Sequence, residues 1–216
     1  MKLTQEQIQK IENYLDYKKL EQVDLRYEVQ DHMIVGIEQA LEEGISFKEA
    51  FNQQKEKWNP ELESYSSWWL GPVNDGPKIM IKKCVTLAKE VSLVGILISS
   101  ILYSILSFIP YDFSKKSFHS YIAFTFFIAF MISLALSYKM RQSNLKSTYK
   151  HFYKTQDVGY LIVLVFFGLI IGFDFSFFSK EVSFYETYIS VMLYVNVFYS
   201  FKINKKHNNV IKQMIA

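Results

Sequence analysis

Four long apolar stretches in the second half of this 216-residue chain constrain its fold more than any other feature. They lie at about residues 91–109, 120–138, 158–178 and 183–202. The first two carry no charged residue, and the other two carry charges only near their ends. An apolar helix of about 20 residues is long enough to cross the hydrocarbon core of a bilayer. The pattern therefore predicts four transmembrane helices.

The fourth stretch is the weakest of these, because its uncharged core covers only residues 187–201. At about 1.5 Å per residue that core reaches roughly 22 Å, which is short of a hydrocarbon layer of about 30 Å. The basic residues support the span nevertheless. Of the 16 Lys and Arg after residue 77, 13 lie before the first stretch, between the second and third, or after the fourth. Because cytoplasmic loops are rich in Lys and Arg, the alternation predicts a multi-pass membrane protein with both termini in the cytoplasm.

The two halves of the chain also differ in charge. Residues 1–77 have 8 basic and 15 acidic side chains, whereas residues 78–216 have 16 basic and 6 acidic ones. The net charge of +3 and the mean hydropathy of +0.06 therefore describe neither half. The opposite charges predict a salt-sensitive docking of residues 1–60 onto the basic loop at 139–157. The acidic excess also opposes binding of nucleic acid by the amino-terminal part.

Residues 1–60 have the periodicity of three amphipathic helices. Capping-box patterns at residues 4–7 and 46–49 predict the starts of the first and third helices. Gly44 is expected to stop the second helix, which covers about residues 23–43, and Pro60 is expected to end the third. So small a domain buries little core and is expected to depend on a partner, a second copy or the membrane surface.

Two further segments complete the predicted organisation. Residues 61–90 are predicted to be a turn-rich Trp/Gly/Pro connector, followed by a basic juxtamembrane segment that lies against anionic lipid headgroups. Residues 203–216 form a basic cytoplasmic tail. The sequence therefore predicts an all-α fold, in which a small cytoplasmic three-helix domain at 1–60 precedes a four-helix transmembrane bundle at 91–202.

The most suggestive chemical cluster is Asp24, Glu28, Asp31 and His32 on the second predicted helix. Glu28 and His32 are four residues apart, and a carboxylate with an imidazole at that spacing can hold a metal ion. However, only these two ligands are in register. The favoured interpretation is therefore a histidine at the edge of the core, bonded to Glu28 or to a backbone carbonyl. No metal or other cofactor is predicted.

Other residues are candidates for packing or interaction. Trp68 and Trp69 are expected either to dock on the three-helix domain or to lie at the level of the lipid headgroups. Gly168 and Gly172 share one helix face, which favours close packing between helices. Asn196 is expected to form a hydrogen bond between helices rather than to bind a ligand. The single cysteine, Cys84, is expected to be a reduced thiol at the membrane border.

The amino-terminal pattern resembles the HAAS-type helical domain found at the amino terminus of many bacterial multi-spanning membrane proteins. The resemblance covers residues 3–60, and it is nearest to uncharacterised versions common in Bacteroidetes. It implies a cytoplasmic regulatory module, often encoded near PadR-type regulators or transport components, and it carries no catalytic residues. The residues that support it are Asp24, Leu25, Arg26, Tyr27, Glu28, Asp31, His32, Ile37, Glu38, the run from Gly44 to Phe51, and Trp58.

No catalytic motif is recognisable in the sequence, so an enzyme is not predicted. The leading hypothesis is a regulatory, signalling-associated protein of the inner membrane whose acidic helical domain binds a cytoplasmic or membrane protein partner. The alternative is a subunit of a membrane transporter or permease complex, for which a second copy of the chain is a further expected partner. Anionic lipid is expected to contact the basic segments.

Overall fold

The computed structural model describes residues 2–71, 74–108, 128–129, 131–132, 134–155 and 184–215. Over these residues the protein is mostly helical, which confirms the all-α fold class. The first four helices are α1 (Gln5–Tyr17), α2 (Val23–Glu42), α3 (Phe47–Leu62) and α4 (Lys78–Ser107). Residues 134–142 and 148–155 are also helical and are numbered α5 and α6, and the last helix is α7 (Phe184–Ile215).

The chain divides into two compact units. The first unit comprises Met1–Thr86, Asn144–His151 and Val210–Ala216. The second unit comprises Leu87–Ser143 and Phe152–Asn209. The first unit is therefore larger than the domain predicted at residues 1–60.

Two predicted helix ends are present in the first unit. The Thr4 hydroxyl accepts a hydrogen bond from the Gln7 N–H, and the Gln7 side chain accepts one from the Thr4 N–H, which completes the capping box. Gly44 follows α2 with a φ of +88°, and its N–H and the next one donate to the carbonyls of Leu41 and Ala40. This is a Schellman motif, which confirms Gly44 as the helix stop.

Helix α1 ends in the same motif without a glycine. Lys19 has a φ of +56°, its N–H donates to the Asp16 carbonyl, and the Leu20 N–H donates to the Leu15 carbonyl. The left-handed conformation costs a residue with a Cβ atom more than it costs glycine. Glycine is the usual signal for this motif, and because position 19 is a lysine, the end of α1 could not be predicted from the sequence.

The prediction that Pro60 ends the third helix is wrong, because α3 continues to Leu62. Proline lacks an N–H and cannot bond the carbonyl four residues earlier, that of Glu56. Both residues are exposed, so water can bond that carbonyl instead. The Glu63 N–H still donates to the Asn59 carbonyl and completes the last turn.

The connector contains a small sheet that the sequence analysis did not predict. Strands β1 (Ser64–Ser66) and β2 (Asp75–Pro77) pair antiparallel, with Ser64 opposite Pro77. The loop between them holds a 3₁₀ helix at Trp68–Leu70 and then Gly71, whose φ is +84°. The turn prediction holds for this loop, but three-residue strands are too short to show an alternating pattern.

The core of the first unit joins α1–α3 to the beginning of α4. Ile81 and Met80, in the segment expected to lie against lipid, are fully buried in this core. Their apolar surface is therefore covered by protein rather than by lipid. The buried apolar side chains of the first unit are Ile11, Leu15, Leu20, Leu25, Val29, Met33, Ile37, Ala40, Ala50, Leu62, Leu70, Met80, Ile81 and Cys84.

In the second unit, α4 buries small side chains and exposes large apolar ones. Val91, Gly95 and Ser99 follow each other at four-residue steps on the buried face. A Cβ atom added to Gly95 would lie 2.0 Å from the Met192 sulfur of α7, so the two helices approach closely there. The exposed apolar side chains of α4 in this unit are Leu93, Ile96, Leu97, Ile98, Ile101, Leu102 and Ile105.

Among the described residues, one helix, at Lys78–Ile105, is long and apolar enough to cross a membrane. Helix α7 contains most of the fourth predicted span but does not reach the same hydropathy. Most of the second predicted span and all of the third, with Gly168 and Gly172, lie outside the described residues. The four-helix transmembrane bundle is therefore not shown.

Candidate functional site

The most developed polar cluster of the first unit lies where the beginning of α2 contacts residues 144–151. One Asp24 carboxylate oxygen, Oδ1, accepts a hydrogen bond from the backbone N–H of Thr148 at 2.8 Å. Thr148 is the first helical residue of α6, and its N–H is one of those that have no acceptor within the helix. The hydroxyl of Ser147, just before it, accepts from the Lys150 N–H at 3.1 Å. The start of α6 is thus capped by its own serine and by an aspartate of α2.

Two further contacts surround this hydrogen bond. The Val23 N–H donates to the Lys146 carbonyl at 2.8 Å. The Lys146 ammonium lies 2.6 Å from a Glu21 carboxylate oxygen, with both side chains more than half exposed. The docking contact that the opposite charges predict is therefore present, whereas its dependence on salt stays a prediction.

Lys83 of α4 lies on the other side of the same carboxylate. Its ammonium is 3.6 Å from Asp24 Oδ2 and 3.7 Å from a Glu28 carboxylate oxygen. The Asp24 side chain is only 8% exposed, so a neighbouring cation is needed to offset the cost of burying its charge. Lys83 and the Thr148 N–H together supply that compensation.

Cys84 lies beside this cluster, ahead of the predicted span at 91–109. Its sulfur is 3.9 Å from the Thr148 carbonyl, and the side chain is fully buried. Burial, and secondarily the negative charge of Asp24, raise the pKa of the Cys84 thiol to about 12. Cys84 is a free thiol, as expected, but it is a buried, protonated core residue rather than a group at the membrane border.

The cluster contains ion pairs and hydrogen bonds, and its chemistry is that of a docking contact. No group of three or more His, Cys, Asp or Glu side chains placed to hold a metal ion occurs in the described ranges. Two buried oxygens of the contact, Asp24 Oδ2 and Thr148 Oγ1, make no hydrogen bond. Although Lys83 offsets the charge of Asp24, buried oxygens without a hydrogen bond reduce the net stability of a polar contact.

Of the predicted cluster of Asp24, Glu28, Asp31 and His32, only Asp24 and Glu28 come together, around the Lys83 ammonium. Asp31 and His32 are exposed on α2, and Glu28 pairs with Lys83. The His32 ring stacks on Trp58 of α3, with 6.2 Å between ring centroids and 30° between planes. The prediction that His32 bonds to Glu28 or to a backbone carbonyl is therefore wrong, because the adjacent α3 places an aromatic ring against the imidazole.

The tryptophan pair lies in the loop between β1 and β2. Trp68 is 87% exposed and Trp69 is 46% exposed, and their rings meet edge to face with centroids 6.2 Å apart. Tyr65 on β1 is also exposed. Trp68 therefore does not dock on the three-helix domain, which removes one of its two predicted roles.

Within the described residues, Asn196 of α7 bonds to its own helix, and the predicted hydrogen bond to a neighbouring helix is not seen there. Its side-chain amide donates to the Met192 carbonyl at 2.7 Å, one turn earlier. The contact that joins two helices in the second unit is instead made by Glu90 of α4. Its carboxylate accepts from the Tyr199 hydroxyl and from the Lys202 ammonium, both at 3.0 Å. The sequence offered no signal for choosing these three residues beyond their position near the ends of predicted spans.

No protein-family model, curated protein or solved structure matches this chain. The resemblance of residues 3–60 to the HAAS-type domain therefore stays a prediction.

Proposed function

We propose that this chain is a multi-pass protein of the bacterial inner membrane, and that its amino-terminal helical domain binds a protein partner in the cytoplasm. A signalling-associated regulatory role follows if the resemblance to HAAS-type domains holds. The two parts of the proposal rest on different observations and have separate tests.

Membrane insertion is supported by the arrangement of side chains on α4 within the second unit. The buried face presents Gly95 and Ser99, and the exposed face presents seven leucines and isoleucines. This arrangement of side chains is the reverse of that in a surface helix of a water-soluble protein, whose apolar stripe faces inward. In a bilayer, small residues favour close helix contacts while leucine and isoleucine face the lipid. The alternation of basic loops in the sequence supports four spans.

Single-cysteine labelling tests the topology. In a Cys84→Ser background, Lys115→Cys and Lys180→Cys should react with a membrane-impermeant maleimide in intact spheroplasts. Lys205→Cys, which replaces an exposed residue of α7, should react only after lysis. Labelling of Lys205→Cys in intact spheroplasts would overturn the proposed topology.

The exposed Trp68 carries the proposal of a protein partner. Large aromatic side chains that are exposed together, here the contacting pair Trp68 and Trp69, are typical of interaction surfaces. The hairpin holds them in place, because the Lys78 N–H donates to the Glu63 carbonyl at the base of the strands. The excess of acidic residues in this part of the chain favours a partner with a basic surface.

Photo-crosslinking tests this surface in living cells. A photoreactive phenylalanine analogue replaces Trp68 in one strain and Tyr17 in another, since Tyr17 is an equally exposed aromatic side chain at the end of α1. A crosslinked protein of defined mass should form at position 68 and not at position 17. Equal products at both positions, or only lipid adducts at position 68, would count against a protein partner at this surface.

A transport subunit remains the second candidate because α7 buries polar side chains in the second unit. Ser200, near the end of the fourth predicted span, is almost fully buried and donates a hydrogen bond to the Asn196 carbonyl one turn earlier. Buried polar groups within a membrane helix often mark a pathway for ions or small solutes. Purified protein in liposomes that passes no ions or small solutes would remove this candidate.

A further inference from the structure

The contact between residues 21–24 and residues 144–151 combines a part-buried hydrogen bond with an exposed ion pair. We propose that it is a latch, in which the amino-terminal domain holds the first turn of α6 when closed and releases it when opened. The inference does not depend on the identity of a partner. It rests on the placement of Glu21, Asp24, Lys146 and Thr148 within the first unit.

The inner part of the latch is the hydrogen bond from the Thr148 N–H to Asp24, and it determines whether the first turn of α6 is capped. A helix begins with N–H groups that need acceptors from outside the helix. Ser147 supplies one acceptor, for Lys150, and Asp24 supplies another, for Thr148. Since Asp24 belongs to α2, the capping of α6 depends on the position of the amino-terminal domain. When the domain withdraws, the Thr148 N–H loses this acceptor and the first turn opens more readily.

The outer part is the ion pair between Glu21 and Lys146, and it makes the latch sensitive to salt and to competing ions. Glu21 and Lys146 form their ion pair with side chains that are 56% and 62% exposed. An exposed pair of this kind is screened by salt and by competing ions. Lys83 stays near Glu28 as well as Asp24, so one cation remains with the acidic face of α2 when residues 144–151 leave.

The closed contact is not fully satisfied, which favours reversible opening. Asp24 Oδ2 forms an ion pair with Lys83, but neither it nor the buried Thr148 Oγ1 makes a hydrogen bond within the described part of the chain. In the open state water can bond both oxygens, so opening regains the hydration that closing removes. Along the sequence α6 leads towards the third predicted span, and the latch would therefore pass a signal from the amino-terminal domain to the membrane part.

Hydrogen exchange of the full-length protein in lipid nanodiscs tests the latch at the amides of residues 148–150. Raising the salt from low to high concentration should speed their exchange by about two- to fivefold, the size of an exposed ion pair. Glu21→Lys and Lys146→Glu should each do the same at low salt, and the double variant should restore the slow exchange. Asp31→Lys, on an exposed face of the same helix, is the matched control and should leave exchange unchanged.

Two results would overturn the latch. The first is a double variant that exchanges as fast as the single variants, because the ion pair would then not be responsible. The second comes from Asp24→Ala: faster exchange should be confined to the start of α6. If it extends through α1, α2 and α3, the contact is part of the domain core and not a separable latch.

Discussion

The carboxylate of Asp24 caps the backbone N–H of Thr148, which lies 124 residues further along the chain. The amino-terminal domain is therefore folded around a segment that the sequence places between two predicted membrane spans. The same carboxylate lies near Lys83, so α2, α4 and α6 meet at one buried charge.

The Asp24 carboxylate should contribute measurably to stability. Asp24→Ala should lower the free energy of unfolding by about 1–3 kcal/mol, because the Thr148 N–H loses a charged acceptor. Asp24→Asn should cost less, since its amide oxygen can still accept that hydrogen bond. Chemical denaturation followed by tryptophan fluorescence, in a background where Trp68 and Trp69 are phenylalanine so that Trp58 alone reports, measures both. Asp31→Ala is the control, and a loss as large as that of Asp24→Ala would contradict the assignment.

Glycine should favour both Schellman motifs, so adding it at position 19 and removing it at position 44 should have opposite effects on stability. Lys19→Gly should stabilise the protein by about 0.5–1 kcal/mol, because Lys19 occupies a left-handed conformation that glycine adopts at lower cost. Gly44→Ala should destabilise it by about 1 kcal/mol. No atom lies within 4 Å of a Cβ added at Gly44, so the cost there is conformational and not steric.

Thermal unfolding of the variants in one detergent separates these effects. The midpoint should rise for Lys19→Gly and fall for Gly44→Ala. Gly44→Asn should fall between Gly44→Ala and the wild type, because asparagine tolerates the left-handed region better than alanine does. Equal midpoints for all three would contradict the backbone argument.

The Cys84 thiol should be inert to alkylation in the folded protein. The thiolate is the nucleophile, and with a pKa of about 12 almost no thiolate is present below pH 9. Because the folded protein holds the thiol proton more tightly than the unfolded chain does, this group favours unfolding as the pH rises from the ordinary cysteine pKa towards 12.

Mass spectrometry after maleimide treatment at pH 8 measures the modification. Wild-type protein should react only after denaturant is added. Thr86→Cys in a Cys84→Ser background is the matched control, since residue 86 is exposed one half-turn further along α4 and should react while folded. Modification of Cys84 at the rate of the control would refute its burial.

The contact of α4 with α7 should depend on the absence of a side chain at Gly95. Gly95→Leu should destabilise the second unit by more than the roughly 1–3 kcal/mol typical of overpacking, because Met192 already fills the space. Gly95→Ala should cost less, and adding Met192→Ala should recover part of the loss. A double-mutant cycle on thermal aggregation in detergent measures the coupling, and additive effects would show that the two residues do not compete for space.

Local signals predicted the helices and several of their ends. The capping box at Thr4 and the stop at Gly44 depend on residues within a few positions of each other, so their chemistry is readable from the sequence. Lys19 and Pro60 show where such local signals fail. The surrounding structure tolerates a lysine with a positive φ at the end of α1 and a proline within the last turn of α3.

Charge predicted that the acidic domain and the basic loop meet, but it did not select the residues. The seven excess negative charges of residues 1–77 favour contact with any positively charged loop that these residues can reach. Packing decides that Lys146 meets Glu21 and that Glu28 pairs with Lys83 rather than with His32. It also decides that His32 stacks on Trp58, a residue 26 positions away on another helix.

The sequence by itself determined the helical class, the difference in charge between the two halves and the apolar stretches, because each follows from composition and short-range periodicity. Only the tertiary structure decided which donor and which acceptor are paired in each long-range hydrogen bond. The carboxylate of Asp24 finds the Thr148 N–H because the fold brings together groups far apart in sequence. Whether a buried charge is compensated depends on that geometry and not on the residues next to it in the chain.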